Sequence, residues 1–320
     1  MRDAAAETIY WEAQAGTRAG GEAAAATRER APTGAPLGGP GTRAGRAVIF
    51  LHGLTASGRY WRGDHPDRQL LPAADHFYPD LLGFGRSSWP AAARYTVDEH
   101  LSALRRWSAA ERIVATHGEL VLVGHSLGAV LALEWAARFP REVAGLFVIA
   151  LPHYPDEDEA RRCIGRASLM NRLTMAWEPA ARVACWAMCR ARPLLVPLLE
   201  RAAALVSPQL PGAVAADGVL HDWPALERTL KRCIVEHRVS ESAATIGRRA
   251  AGGFPVRLLH GADDRVAPVR HVQALAARTG LPLSILAGAG HDLWLSQPEP
   301  ALDSLRNWFA NATDRAARAP

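Results

Sequence analysis

Short apolar runs alternate along this chain with longer segments whose apolar residues recur every three or four positions. The runs that predict buried strands cover residues 48–51, 76–82, 120–123, 146–149, 256–259 and 283–286. Segments with helical spacing lie between them, and the one that opens at Thr96 has Glu99 three residues later, as in a capping box. Because the strand runs are apolar on both faces, they indicate an α/β fold with a mostly parallel central sheet covered by helices on both sides.

The N-terminal part of the chain departs from this alternation. Residues 8–13 alternate enough to predict an edge strand. Residues 16–45 are mostly Ala, Gly, Arg, Pro and Thr, with Leu37 as the only large apolar side chain. Such a composition cannot bury enough surface to offset the entropy of ordering, so we expect this segment to be disordered. We therefore assign residues 1–46 to an edge strand followed by a low-complexity segment.

A helical insertion interrupts the second half of the chain. From Tyr154 to about Arg249 the pattern is helical, with breaks predicted at Pro179, Pro193, Pro197, Pro208, Pro211 and Pro224. The alternation of strands and helices then resumes and continues to the last helix. We therefore expect an α/β core formed by residues 47–152 and 250–320, with residues 153–249 inserted as a helical cap.

Composition narrows the classes of function. The chain has 320 residues, of which 49% are hydrophobic, and this allows a large core. Its 37 basic and 32 acidic residues give a net charge of +5 without a basic block that would follow phosphates, so no nucleic-acid partner is expected. No run approaches the roughly 20 apolar residues of a membrane span, and no secretory pattern is found. The four cysteines lack C-x-x-C spacing, which favours free thiols and a cytoplasmic location.

One sequence motif indicates a catalytic function. The apolar run 120–123 passes directly into Gly124-His125-Ser126-Leu127-Gly128, and a helix is predicted to follow at once. A serine on such a tight strand-to-helix turn has its hydroxyl exposed at the edge of the sheet, and the flanking glycines avoid clashes across the turn. The free N–H groups at the start of the helix point towards any negative charge that develops on a bound carbonyl. This context predicts a nucleophilic serine.

A serine hydroxyl needs a base, and the base needs an acid that holds it in one tautomer. The candidate base is His291, directly after the last predicted strand. The candidate acid lies after the preceding strand, where Asp263 and Asp264 are both available. All these positions follow the carboxyl ends of parallel strands, where open α/β sheets place their sites. The chain order is Ser, Asp, His.

Five short sequence motifs of this chain, taken in order, match the motifs of a known enzyme family. They are His52-Gly53-Leu54, the loop from Asp80 to Ser87, Gly124-His125-Ser126-Leu127-Gly128, Gly261-Ala262-Asp263-Asp264, and Gly290-His291. In this order, over residues 47–310, the chain resembles the α/β-hydrolase-fold serine hydrolases with a helical cap, a group of esterases and lipases. The departures are small: Leu82 stands where proline is frequent and Ala129 where a third glycine is frequent.

The resemblance implies a role for each matched residue. Ser126 would be the nucleophile and His291 the general base and then the general acid. Asp264 is preferred over Asp263 as the orienting acid, because the family's acid usually lies three residues after the glycine that is Gly261 here. Asp263 would then cap a turn.

The resemblance also implies an oxyanion hole formed by the backbone N–H groups of Leu54 and Leu127. His52 and His125 are expected to have structural roles, as are His153 and His260. No cofactor is implied, and no cluster of His, Asp or Glu has the spacing of a metal site.

The nucleophile restricts the reaction. An aspartate would indicate an epoxide hydrolase or a dehalogenase, whereas Ser126 indicates acyl chemistry on an ester, thioester or lactone, or cleavage of a carbon–carbon bond beside a ketone. Acyl transfer to another alcohol and perhydrolysis use the same groups. We expect hydrolysis of a carboxylic ester; the alternatives are a carbon–carbon bond hydrolase, a non-hydrolytic cyclase or acyltransferase, and a ligand-binding module.

Apolar side chains in the cap predict a hydrophobic small-molecule substrate. They are Leu169, Met170, Leu173, Met175, Trp177, Trp186, Met188, Leu194, Leu195, Leu198 and Leu199. Most are expected to fill the cap's own core, and the rest to form the roof of the cleft over Ser126. Trp177 and Trp186 are the two large rings for which both placements remain open.

Overall fold

Eight strands form one sheet in the computed structural model, which describes residues 7–15, 28–30, 45–63, 65, 68–167, 177–206 and 209–318. The strands are β1 (Trp11–Gln14), β2 (Arg28–Arg30), β3 (Arg46–Leu51), β4 (Ala74–Pro79), β5 (Glu119–His125), β6 (Gly145–Ile149), β7 (Val256–Gly261) and β8 (Leu283–Leu286). Their order across the sheet is β2-β1-β4-β3-β5-β6-β7-β8. Only β1 and β2 run antiparallel to their neighbours among these eight, so the predicted α/β fold with a mostly parallel sheet is confirmed.

Helices cover both faces of the sheet. They are α1 (Val97–Ala110), α2 (Ile113–His117), α3 (Leu127–Arg138), α4 (Glu157–Ala167), α5 (Glu178–Val206), α6 (Gly212–Asp217), α7 (Trp223–Thr229), α8 (Ser240–Ala251), α9 (Val269–Thr279), α10 (Leu293–Ser296) and α11 (Pro298–Arg318). A 3-10 helix spans Gly58–Trp61, and a π-helical segment, Leu230–Val235, directly follows α7. Within the described ranges, no helix is both long enough and apolar enough to cross a bilayer.

The apolar strand runs are explained by burial on both faces of the sheet. In β3, Ile49 and Leu51 pack into the core on one face, and Val48 and Phe50 pack into the core on the other. All four are completely buried. A strand buried on both faces needs no polar positions, which is why its sequence shows a continuous run rather than an alternation.

The N-terminal strands differ in part from the prediction. β1 begins at Trp11 and pairs on both sides, with β4 and with β2, so it is not an edge strand. The edge is β2, at Arg28–Arg30, where the composition predicted disorder. Three residues are enough for this because backbone hydrogen bonds to β1 form the pairing and no apolar side chain is required. The rest of the low-complexity segment, residues 16–27 and 31–44, lies outside the described residues.

The inserted segment is helical but does not break at every proline. Helix α5 continues through Pro193 and Pro197, although each proline removes one backbone hydrogen bond. Both prolines lie on the exposed side of the helix, where water satisfies the freed carbonyl groups. Pro211 and Pro224 instead mark the starts of α6 and α7, as predicted.

The last helix of the predicted cap packs on the sheet domain. In α8, Arg249 donates to the carbonyl of Ala136 at 2.6 Å. Gly247 lies so close to α9 that a Cβ atom there would collide with the carbonyl of Thr279. We therefore infer that the cap extends from residue 153 to about Val239, and that α8 belongs to the core.

A buried carboxylate joins β1 to two neighbouring loops. Glu12 accepts hydrogen bonds from the guanidinium groups of Arg62 and Arg86. The side chains of Glu12 and Arg62 are only 8% and 2% exposed. The Arg62 guanidinium also lies 4.7 Å from the centre of the Tyr78 ring. Removing one partner of an ion pair buried as deeply as Glu12 and Arg62 is strongly destabilising.

We expect Glu12→Gln to lower the free energy of unfolding by roughly 3 kcal/mol, because the change removes the carboxylate charge from a buried ion pair with Arg62. Urea denaturation of the full chain measures this. The matched control is Glu119→Gln, which removes the partner of Arg46 at a position where the carboxylate is 42% exposed. That change should cost less than about 1 kcal/mol. Equal losses in the two variants would contradict the proposed importance of burial.

Candidate active site

Ser126 occupies a strained turn between β5 and α3. Its backbone has φ +53° and ψ −115°, a conformation that L-residues rarely adopt. A Cβ atom on Gly124 would collide with the carbonyl of Gly128, and one on Gly128 would collide with the carbonyl of Leu51. The two glycines of the motif are therefore required by close backbone approach. The turn places the serine side chain at the carboxyl end of the sheet.

His291 lies between Ser126 and Asp264. Its Nε2 atom is 2.9 Å from the Ser126 Oγ, and its Nδ1 atom is 2.8 Å from the Asp264 Oδ2. Asp263 is exposed, and its backbone N–H donates to the carbonyl of Ala289. The structure thus brings the preferred acid, the base and the serine into one chain of hydrogen bonds and places the competing aspartate outside it.

Asp264 is held by four donors. Its Oδ1 accepts from the backbone N–H groups of Val266, at 2.9 Å, and Ala267, at 2.8 Å. Its Oδ2 faces His291 and also lies 3.3 Å from the Nε2 of His260, whose one N–H is shared between this carboxylate and the Ala267 carbonyl at 2.7 Å. Burial alone would raise the pKa of this carboxyl, but the hydrogen bonds from His260 and His291 hold the pKa well below its ordinary value. Asp264 is therefore ionised at neutral pH.

The environment of His291 favours its charged form. Burial lowers the pKa of its imidazole, but the hydrogen bond to Asp264 and the negative charges of Asp264 and Asp292 raise the pKa above the ordinary 6.5. The carboxylate also fixes the tautomer, because Nδ1 must carry a proton to donate to Asp264. In the neutral ring Nε2 is then unprotonated and can accept the proton of Ser126.

The loop after β3 lies beside the serine. A Cβ atom on Gly53 would be only 3.3 Å from the Cβ of Ser126. In the described part of the chain, neither the Leu54 nor the Leu127 amide nitrogen donates to a loop or strand acceptor. Leu127 is also the first residue of α3, where backbone N–H groups have no helical acceptor. Both amides are thus available to a bound oxyanion.

Two neighbouring histidines stabilise this arrangement. His52 donates from Nδ1 to the Gly53 carbonyl at 2.7 Å and accepts at Nε2 from the Leu81 N–H at 2.8 Å, so it must be neutral. Burial lowers its pKa to about 4. His125 stacks on the Tyr60 ring, with centroids 4.7 Å apart, and donates from Nε2 to the His291 carbonyl at 3.0 Å. These contacts agree with the structural roles expected for both.

A cavity of about 500 Å³ opens onto Ser126. The sheet domain contributes Gly53, Leu54, Thr55, Ala56, Tyr60, His125, Ser126, Pro152, Val266, His291, Asp292 and Leu295 to its wall. Tyr154, Ile164, Met188, Leu210, Val214, Ala215, Gly218, His221, Leu226, Leu230 and Ile234 come from the inserted segment. The cap surface is almost entirely apolar. Across the described ranges, no group of three His, Cys, Asp or Glu side chains is arranged to hold a metal ion.

The two tryptophans named as cleft candidates lie elsewhere. Trp177 is 64% exposed and Trp186 is 58% exposed, so neither lines the cavity nor fills a cap core. Met188, from the same helix as Trp186, lines the cavity instead. Positions two apart on a helix lie on roughly opposite sides, so one helix can present both. The candidates Leu169, Met170, Leu173 and Met175 lie outside the described residues.

Comparison with known proteins agrees with this geometry. The family model described as "Alpha/beta hydrolase family" matches residues 48–303. The chain belongs to the alpha/beta hydrolase family. The fold and family predicted from the sequence are thereby confirmed, and the protein is a hydrolase.

Three members of this wider group illustrate the likeness. An uncharacterised protein of Mycobacterium tuberculosis is 26% identical over 289 residues, covering 85% of this chain and 77% of the relative. Lipase LipV of the same species is 41% identical over 102 residues, which are 32% of this chain and 36% of the lipase. A carboxylesterase structure from Nitrososphaera gargenis superposes with a TM-score of 0.60 at 17% identity, covering 86% of this chain and 93% of the esterase. The last comparison shows the fold alone.

The raised pKa of His291 predicts a pH dependence. A protonated imidazole cannot accept the serine proton, so kcat/KM on a p-nitrophenyl ester should fall as the pH drops, with an apparent pKa above 6.5. Asp264→Asn removes the charge that raises this pKa, so the acid limb of its residual activity should shift to lower pH. The exposed Asp263→Asn is the control and should leave the profile unchanged. A shift caused by Asp263→Asn instead would contradict the assignment.

Proposed function

We propose that the protein hydrolyses a carboxylic ester of a hydrophobic small molecule through an acyl-enzyme intermediate. The observation that carries this proposal is the hydrogen-bonded chain from Ser126 through His291 to Asp264 at the wall of an apolar cavity. The two free amides beside the serine support it, because acyl transfer requires stabilisation of an oxyanion.

The geometry suits both halves of the reaction. His291 removes the proton of Ser126 as Oγ attacks the ester carbonyl, and the Leu54 and Leu127 amides stabilise the resulting oxyanion. The tetrahedral intermediate collapses, the carbon–oxygen bond to the alcohol breaks, and His291 donates its proton to the leaving oxygen. A water molecule activated by His291 then hydrolyses the acyl-enzyme. Asp264 orients the imidazole throughout and stabilises its protonated form.

The cavity supports a hydrophobic substrate. Its cap wall offers side chains such as Ile164, Met188 and Leu226, which can contact an acyl chain or an apolar alcohol but offer it no hydrogen bond. The likeness to Lipase LipV supports the same class of substrate. Thioesters and lactones require the same groups and fall within the proposal.

The cysteines support the expected cytoplasmic location. All four are free: Cys163, Cys185 and Cys233 are buried and Cys189 is half-buried. Free thiols persist in a reducing compartment, whereas oxidising compartments favour disulfides.

A fluorophosphonate probe tests the nucleophile directly. The wild-type protein should be labelled and Ser126→Ala should not, because only an activated serine attacks the phosphorus. Ser126→Ala, His291→Ala and Asp264→Asn should each lower kcat on a p-nitrophenyl ester by at least about a hundredfold. The double variants should lose little more than the single ones, because the three groups act as a unit. Labelling of Ser126→Ala, or full activity in any single variant, would refute the proposal.

The cavity wall predicts chain-length selectivity. Met188→Ala enlarges the cavity, so the ratio of kcat/KM for longer over shorter p-nitrophenyl esters should rise. For esters that differ by one methylene, the change in this ratio should correspond to no more than ~1–3 kcal/mol of activation free energy. Trp186→Ala, on the opposite side of α5, is the matched control and should keep the ranking of the wild type. A changed ranking in Trp186→Ala alone would contradict the assignment of the cavity beside Met188 as the substrate pocket.

A further inference from the structure

The outer side of α5 carries a continuous row of exposed side chains. Its members follow one another at intervals of three or four residues, so they lie on one face of the helix. This row, called the outer stripe, consists of Val183, Trp186, Arg190, Leu194, Leu198, Arg201 and Leu205. The opposite face carries the buried Ala181, Cys185 and Ala203, together with Met188 in the cavity wall. Helix α5 therefore presents apolar side chains on both its inner and its outer face.

Exposed apolar surface is concentrated on this helix. The large hydrophobic side chains exposed in the described part of the chain are Val114, Trp177, Val183, Trp186, Leu194, Leu198, Leu205 and Ile285, and six of these eight lie within residues 177–205. Leu194 is 77% exposed and Leu205 is 88% exposed. The stripe from Val183 to Leu205 is about 33 Å long at the α-helical rise. Five large apolar side chains exposed along one helix face indicate an interaction site.

The charges along the outer stripe are all positive. Arg190 and Arg201 belong to it, and among the described residues neither has an acidic partner. The Arg190 guanidinium lies 4.9 Å from the centre of the Trp186 ring, within the stripe itself. The two acidic residues of α5 face elsewhere: Glu178 pairs with Lys231 and Glu200 faces Arg59.

We propose that the outer stripe docks on an anionic phospholipid surface. Leucine and tryptophan side chains enter the headgroup region of a bilayer, and arginines beside them bind lipid phosphates and anionic headgroups. Tryptophan in particular prefers the membrane interface. A second copy of the chain fits less well, because pairing two stripes would place four arginines in one interface with no acid from either stripe. A lipid surface supplies the negative charge that the stripe lacks.

Docking in this way has a consequence for the cavity. Because Met188 lies on the inner side of α5, the helix that contacts lipid is also part of the cavity wall. The surface would therefore hold the cavity close to lipids that carry ester bonds. The use of these lipids as substrates rests on the proposed hydrolysis, but the docking itself does not. Binding to the lipid surface is therefore measured separately from activity.

The experiment is flotation of the full chain with vesicles. Vesicles of phosphatidylcholine with about 30% phosphatidylserine should bind the protein, pure phosphatidylcholine should bind it more weakly, and about 0.5 M NaCl should weaken the anionic binding. Arg190→Gln with Arg201→Gln should lower the binding constant roughly 20- to 30-fold, since each arginine near an anionic surface contributes about fivefold. Leu194→Gln with Leu198→Gln should lower it at least about tenfold. Ser126→Ala should bind as the wild type does.

Matched controls keep the test specific. Val114→Gln removes an exposed apolar side chain elsewhere, and Arg141→Gln removes an exposed arginine elsewhere, so both should bind as the wild type does. The stripe variants should keep wild-type kcat/KM on a small water-soluble ester, which shows that they are folded. The proposal is overturned if the wild type does not float with anionic vesicles, or if the stripe variants bind equally well. It is also overturned if light scattering shows a dimer that Leu194→Gln with Leu198→Gln dissociates.

Discussion

The close approach of helix α3 to strand β3 at Gly128 is the contact on which the active site depends. Any side chain at Gly128 would collide with the Leu51 carbonyl, so the turn between β5 and α3 must be tight and Ser126 must adopt a positive φ. Such a conformation costs roughly 1–3 kcal/mol. The buried strands and helix around the turn offset this cost, since α3 is buried over its first ten residues. The parallel pairing of Leu51 with Gly124 then brings the loop after β3 beside the serine.

Burial lowers the pKa of three histidines around the candidate site, whereas a carboxylate raises the pKa of the fourth. Desolvation lowers the pKa of His52, His125 and His221 to about 4. The side chain of His291 is only 13% exposed, but its hydrogen bond to Asp264 reverses the direction of the shift and raises the pKa. Among these four histidines, the carboxylate at 2.8 Å distinguishes His291, and its imidazole is the one whose charged form the surroundings favour.

The sequence predicts the sheet and the catalytic constellation better than it predicts the cap. Strands buried on both faces give long apolar runs, and parallel strands end at one edge, so residues after those ends were expected to meet there, as they do. No comparable rule predicts which residues of the cap face the cavity. Helical periodicity does not tell which face of α5 meets the cavity. Trp186 and Met188 were therefore both candidates for the roof of the cleft, and Met188 is the one of the two that lines it. The exposed position of Pro193 allowed α5 to continue through it, and backbone pairing with β1 forms the short strand Arg28–Arg30.

Two buried carboxylates, one in the cap and one in the sheet domain, hold the loop that carries the candidate oxyanion donor. Asp217, at the end of α6, accepts hydrogen bonds from the side chains of Ser57 and Arg59 and is 1% exposed. Asp80, completely buried at the end of β4, accepts from the Gly58 N–H at 2.8 Å, and burial raises its pKa to about 6. The loop that begins at Leu54 is thus held from the cap on one side and from the sheet on the other. Because both contacts are buried and charged, the cap cannot shift without disturbing this loop, so the shape of the cavity and the geometry of the oxyanion site are physically linked.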